Sequence, residues 1–125
     1  MTKEELVQKI QELKKQKNAI VLAHYYSNPD VQDIADFLGD SLELSRKAGS
    51  TDADMIVFAG VHFMAETASL ISPNKKVLIP ALGAGCTLAD GVCGADLARW
   101  KSENPQGVVV SYVNTTAEVK SYTDI

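Results

Sequence analysis

The chain has 125 residues, 46% hydrophobic and 22% charged, a length and balance that predict about one globular domain with its own core. Twelve Lys and Arg against sixteen Asp and Glu leave a net charge of −4, which argues against a surface built for nucleic acid. The longest apolar stretch, Met55 to Val61, is far short of the roughly 20 residues a membrane helix needs, and Met1-Thr2-Lys3-Glu4-Glu5 begins no signal peptide, so no membrane partner and a cytoplasmic location are expected.

Thr2 and Glu5 form a capping-box pattern, after which Leu6, Ile10 and Leu13 share one face of a Lys-rich helix that ends near Lys17. Ala19 to Ala23 is continuously apolar and reads as a strand covered on both faces, stopping at His24-Tyr25-Tyr26. Asn28-Pro29 opens a second helix, for which Ile34, Phe37 and Leu38 supply the stripe and Gly39 the end. Asp40 or Ser41 caps a third helix that closes on Gly49. Met55 to Ala59 is the next buried strand, Phe63 to Ile71 a helix, Val77 to Ile79 a third strand and Ala95 to Glu103 a helix. Val108 to Val113 reads as a fourth strand, and Thr115 to Lys120 starts a further helix. Thr123-Asp124-Ile125 opens another apolar segment, so the chain is expected to stop in mid-domain.

This alternation predicts parallel βαβ units in an α/β, three-layer αβα sandwich. Ligands gather at the carboxyl ends of such strands, which makes the strand exits the places to seek chemistry. His24 and Tyr26, two apart, fall on one side of an extended backbone, where imidazole and phenol can move protons together; an aromatic cap over the sheet is the plainer alternative. Ser41 stands at a helix start that can hold a carboxylate or phosphate, or serves as a simple N-cap. Tyr112 and Asn114, flanking Val113, repeat the spacing of two, with a buried, satisfied tyrosine as the alternative. His62 precedes a helix and reads as solvated. Cys86, in Gly83-Ala84-Gly85-Cys86-Thr87, is a ligand, a nucleophile or a buried thiol, and its small neighbours favour a ligand. Six residues separate it from Cys93, which matches neither a redox pair nor a zinc knuckle, and a disulfide is not expected. Cys93 reads as structural or incidental.

The runs Val21 to Tyr26, Gln32 to Ser41, Phe58 to Thr67, Ala84-Gly85-Cys86 and Ser111 to Asn114 resemble, in order and spacing, the quinolinate synthase family of de novo NAD biosynthesis. The resemblance implies three similar α/β domains around a [4Fe-4S] cluster, and condensation of iminoaspartate (iminosuccinate) with dihydroxyacetone phosphate to quinolinate, phosphate and water. It also implies a functional link to L-aspartate oxidase. Cys86 matches the first of three cluster cysteines, one per domain. His24 and Ser41 match residues that bind the iminoaspartate carboxylates or the triose. Tyr26 matches a tyrosine assisting isomerisation and dehydration, and Tyr112-Val113-Asn114 matches a substrate contact. Members of the family are more than twice this length, and their other two cysteines fall beyond Ile125. The resemblance therefore implies a first domain at 1–88, the beginning of a second at 89–125, and no activity for this chain alone. Ala81 departs from the family, which has Asp after the proline. The rival reading is a non-catalytic α/β module that binds an anionic metabolite. A response-regulator type of phosphoacceptor is disfavoured because the first strand exit carries no paired acids.

Overall fold

A computed structural model describes residues 1–125. Thr2 caps α1 (Lys3–Gln16): its hydroxyl accepts the Glu5 N–H while the Glu5 carboxylate accepts the Thr2 N–H, which satisfies two of the donors a helix start leaves free. Asn18 turns the chain with a φ of 44°, a left-handed conformation that asparagine tolerates, into β1 (Ala19–His24). Then follow α2 (Pro29–Ile34), β2 (Phe37–Gly39), α3 (Ser41–Ser50), β3 (Met55–Ala59), α4 (His62–Ile71), β4 (Lys76–Leu78), α5 (Gly94–Glu103) and α6 (Ala117–Ser121).

The four strands form one parallel sheet in the order β2-β1-β3-β4. Helices α3 and α4 pack on one face, α1 and α2 on the other, so the expected three-layer α/β sandwich is what forms. The layers are unequal. Leu22, Ile56 and Phe58 point into the α3 and α4 layer and are fully buried against Leu44, Ala48, Phe63, Met64 and Ala68. Each large side chain buried in this way contributes about 1.5–3 kcal/mol. The opposite layer buries no residue of α1 and leaves an apolar groove of about 510 Å³ between Ile10, Leu13, Val57 and Leu78.

Two expected elements are corrected. Phe37 and Leu38 do not continue the second helix: α2 stops at Ile34, Ala35 is extended, and Phe37–Gly39 is the edge strand β2 beside Leu22–His24. The cause is Asp36, whose N–H donates to Val21 O at 2.8 Å while its carboxylate accepts the Val21 N–H at 2.7 Å, pulling the backbone onto β1. Residues 108–113 do not join the sheet as a fourth strand. They carry no regular secondary structure: Val109 O accepts from Asp124 N and Ile125 N, Ser111 N donates to Ile125 O, and Val113 O accepts from Thr115 N.

The clasp around Asp36 occurs twice. Lys14 Nζ pairs with Asp36 Oδ1 at 2.8 Å and donates to Ile34 O at 3.1 Å. Lys101 Nζ pairs with Asp124 Oδ1 at 2.7 Å and donates to Tyr122 O at 3.1 Å, while the other Asp124 oxygen accepts the Val109 N–H at 2.9 Å. Val21, Ile34 and Asp36 thus correspond to Val109, Tyr122 and Asp124, and Lys14 to Lys101.

Candidate functional site

Because all four strands are parallel, their exits lie along one edge, and most of the candidate residues leave from it. After His24 the chain turns, with Ser27 N donating to His24 O at 2.9 Å. Gln32 holds this turn by donating to Tyr25 O at 2.9 Å and Ser27 O at 2.7 Å, and the Ser27 hydroxyl ties it to Ala59 O at 3.0 Å. His24 and Tyr26 are neighbours, as expected, but through the turn rather than a straight strand: their rings stack with centroids 3.8 Å apart. His24 Nδ1 accepts the Tyr26 N–H at 3.3 Å, so the neutral ring carries its proton on Nε2. Burial holds this imidazole below its ordinary pKa, only partly offset by the Asp40 carboxylate.

The Tyr26 hydroxyl reaches inward to Met64 Sδ at 3.7 Å. Burial pushes this phenol up, the neighbouring Cys86 pushes it further, and a hydrogen bond with the Val61 backbone opposes both. Ser41 Oγ lies 3.8 Å from the same sulfur. Ser41 is not the cap of α3. Asp40 is, through a reciprocal box with Glu43, which leaves the Ser41 hydroxyl free to turn toward Met64. Two hydroxyls from different strand exits therefore converge on one buried thioether, a weak acceptor that yields readily to a stronger partner. Beside Tyr26 a hollow of about 300 Å³ opens between Ser27, Gly60, Val61, Pro80 and Ala84. The larger apolar groove under α1 carries no comparable polar chemistry.

Cys86 leaves the β4 exit on a loop pinned by Ala84 N to Ala81 O at 3.1 Å, His62 N to Ala84 O at 2.8 Å, and Asp90 N to Cys86 O at 2.9 Å. Its thiol is free and half-buried, packed against the edge of the core. Cys93 is free and exposed; its thiol lies 3.1 Å from an Asp96 oxygen at the start of α5. Together with Arg99, that thiol holds the Asp96 carboxyl below its ordinary pKa. The His62 ring is about half exposed, 3.8 Å from Glu66.

Tyr112, Val113 and Asn114 stand apart from the first group. Tyr112 is exposed, which removes the buried-tyrosine alternative, and it lines with Val113 a separate hollow of about 240 Å³. Asn114 Oδ1 is the one buried side-chain oxygen or nitrogen in the chain with no hydrogen-bond partner. An orphaned acceptor of this kind calls for a donor from outside the chain. Met64, Glu66 and Lys120 were not legible as site residues, since a methionine on an apolar helix face and charges on helices carry no local signal.

Residues 8–125 match the family model described as quinolinate synthetase A protein. The chain is 57% identical over 122 residues to the quinolinate synthase of Trichodesmium erythraeum (strain IMS101), covering 98% of this chain and 38% of that protein. It is 57% identical over 124 residues to that of Pyrobaculum aerophilum, covering 99% and 39%, and 60% identical over 116 residues to that of Rippkaea orientalis, covering 93% and 36%. The chain spans less than two fifths of the length of these curated relatives.

Proposed function

This chain belongs to the quinolinate synthase family, and from that premise we propose that it carries the N-terminal share of a quinolinate synthase of NAD biosynthesis. The reaction is the condensation of iminoaspartate with dihydroxyacetone phosphate to quinolinate, phosphate and water. The observation that carries this reading is the convergence of Tyr26 and Ser41 on Met64 at the strand exits, beside the stacked His24, in a chain so close to its relatives. A phenol whose pKa is raised stays protonated near neutrality and can donate to the carbonyl oxygen of a triose during enolisation. Neutral His24 offers its Nε2 proton to a substrate carboxylate. The Ser41 hydroxyl adds a donor at the same edge, and Asn114 Oδ1 accepts from a substrate N–H or O–H.

The family's [4Fe-4S] group asks for several thiolates, and no three His, Cys, Asp or Glu side chains stand together here to hold a metal ion. Cys86 fits a single corner: a free, half-buried thiol on a loop of small residues, close enough to Tyr26 to act on its titration. It is the residue of this chain that would hold the cluster, which when bound supplies a Lewis-acidic iron. The division into a unit at 1–88 and the start of another at 89–125 is supported by the twofold occurrence of the Asp clasp. No helix is long and apolar enough to cross a membrane.

The test replaces the N-terminal segment of the Trichodesmium erythraeum enzyme with these 125 residues and assays quinolinate anaerobically. The chimera is expected to form quinolinate, and Cys86→Ser is expected to abolish both the cluster absorbance and the product. A folded, cluster-loaded chimera that makes no quinolinate refutes the reading.

A further inference from the structure

The ammonium of Lys120 has three donors and uses them on the two residues that flank Asn114. It donates to Val113 O at 2.9 Å, to Thr115 Oγ1 at 3.2 Å, and in a very short contact to Thr115 O. Thr115 N closes the same turn onto Val113 O at 2.9 Å. The carbonyls of the two residues that flank Asn114 are thereby fixed, and the side chain between those residues is the one with the buried, unpartnered oxygen. Lys120 is itself seated from the other half of the chain. Its charge lies 5.9 Å from the centroid of the buried Phe63 ring of α4. On the same helix Glu66 accepts the Ala117 N–H at 2.9 Å, which satisfies a free donor in the first turn of α6 and brings a carboxylate to Lys120. Holding a half-buried ammonium is unfavourable unless its donors are satisfied: here three oxygens take them, while the Phe63 ring and the Glu66 charge stand nearby and only partly offset the burial that lowers the Lys120 pKa.

We propose that Lys120, seated by Phe63 and Glu66, is a positioning residue for Asn114, setting the turn that presents the amide to substrate. Lys120 touches no substrate in this scheme; it acts through the two carbonyls. The inference rests on the reading of Asn114 as a substrate contact, but its test is made on this chain without substrate, so failure of the clamp and failure of that reading are seen separately.

The test is ¹⁵N NMR of the isotopically labelled 125-residue chain. Lys120→Met keeps the aliphatic stem on Phe63 and removes every donor. Hydrogen exchange at the Thr115 amide is expected to accelerate at least tenfold, and the Asn114 Nδ2 resonances to move, while the amides of Val21, Ile56 and Phe58 keep their protection. Lys120→Arg, which retains charge and donors, is expected to restore the Asn114 resonances; a packing role alone would be satisfied by Met. If Lys120→Met loses its strand signals, Thr115→Val removes the hydroxyl that accepts from the ammonium and donates to Tyr112 O at 3.1 Å, and is expected to shift the Asn114 amide with the strands intact, while Thr115→Ser, which keeps that hydroxyl, leaves it in place. Unmoved Asn114 and Thr115 signals in folded Lys120→Met, or an unmoved Asn114 amide in folded Thr115→Val, overturns the proposal.

Discussion

Removing the Asp36 carboxylate tests whether one side chain fixes the edge of the sheet. Its Oδ2 accepts the N–H of Val21, a buried residue, at 2.7 Å, and its Oδ1 pairs at 2.8 Å with Lys14, whose side chain is only 12% exposed. In Asp36→Ala a buried N–H loses a charged acceptor, a loss of about 1.5–3 kcal/mol. The ion pair adds roughly 0.5–1 kcal/mol, kept low because the Asp36 side chain is 37% exposed and partly screened by water. The expected destabilisation is therefore about 2–4 kcal/mol, a large share of the ~5–15 kcal/mol typical of a domain. Asp36→Asn keeps one acceptor and can serve Val21 or Lys14 but not both, so about 1–2 kcal/mol is expected. Urea titration followed by circular dichroism reads the effect as a midpoint lowered by about 1–2 M for the alanine variant, with the slope unchanged. A loss below ~0.5 kcal/mol at unchanged slope would refute the claim that Asp36 holds β2 on β1.

Met64→Leu conserves volume, so stability is expected to change by less than ~1.5 kcal/mol, while the Tyr26 ring-carbon resonances move as the sulfur acceptor disappears; a folded variant with unmoved Tyr26 signals argues against the convergence on Met64. His24 is expected to titrate below its ordinary value of 6.5 in an NMR pH series. The unfolded chain then binds more protons than the folded one, so the His24 contribution to stability is present above pH 6.5 and is lost as pH falls through the folded midpoint. A midpoint at or above 6.5 contradicts this. Anaerobic reconstitution of the isolated chain with iron and sulfide is expected to leave no stable cluster absorbance, because Cys86 is a single ligand with no metal-binding group of three around it; a persistent cluster overturns that expectation.

The sheet was legible where its strands are long and apolar. Ala19–His24 and Met55–Ala59 needed no tertiary information, since continuous β-branched runs read as strands covered on both faces. Phe37–Gly39 was not legible, because three residues are too few to show a period and the deciding bond comes from Asp36 to a backbone 15 residues earlier. Val108-Val109-Val110 has the composition of a strand, yet a strand needs a neighbour, and the backbone it meets is that of Asp124 and Ile125. At the site, the exits of parallel strands gave His24, Tyr26 and Cys86 positions along one edge before any geometry was known, whereas Ser41 read only as a helix start, because the strand that precedes it was not legible. That Ser41 leaves capping to Asp40 was hidden, since either residue suits an N-cap. Met64 and Lys120 were hidden for another reason: each matters through atoms brought to it from distant segments.

The doubled clasp has a consequence for how asymmetry enters such a molecule. If Val21 and Asp36 correspond to Val109 and Asp124, the same register sets Tyr112 against His24 and Asn114 against Tyr26. The four residues expected to face substrate are then two copies of one pair of backbone addresses, filled once with imidazole and phenol and once with phenol and amide. A repeated scaffold would thus acquire distinct chemistries by divergence at matched addresses, while the Lys–Asp clasp that defines those addresses stayed the same in both copies.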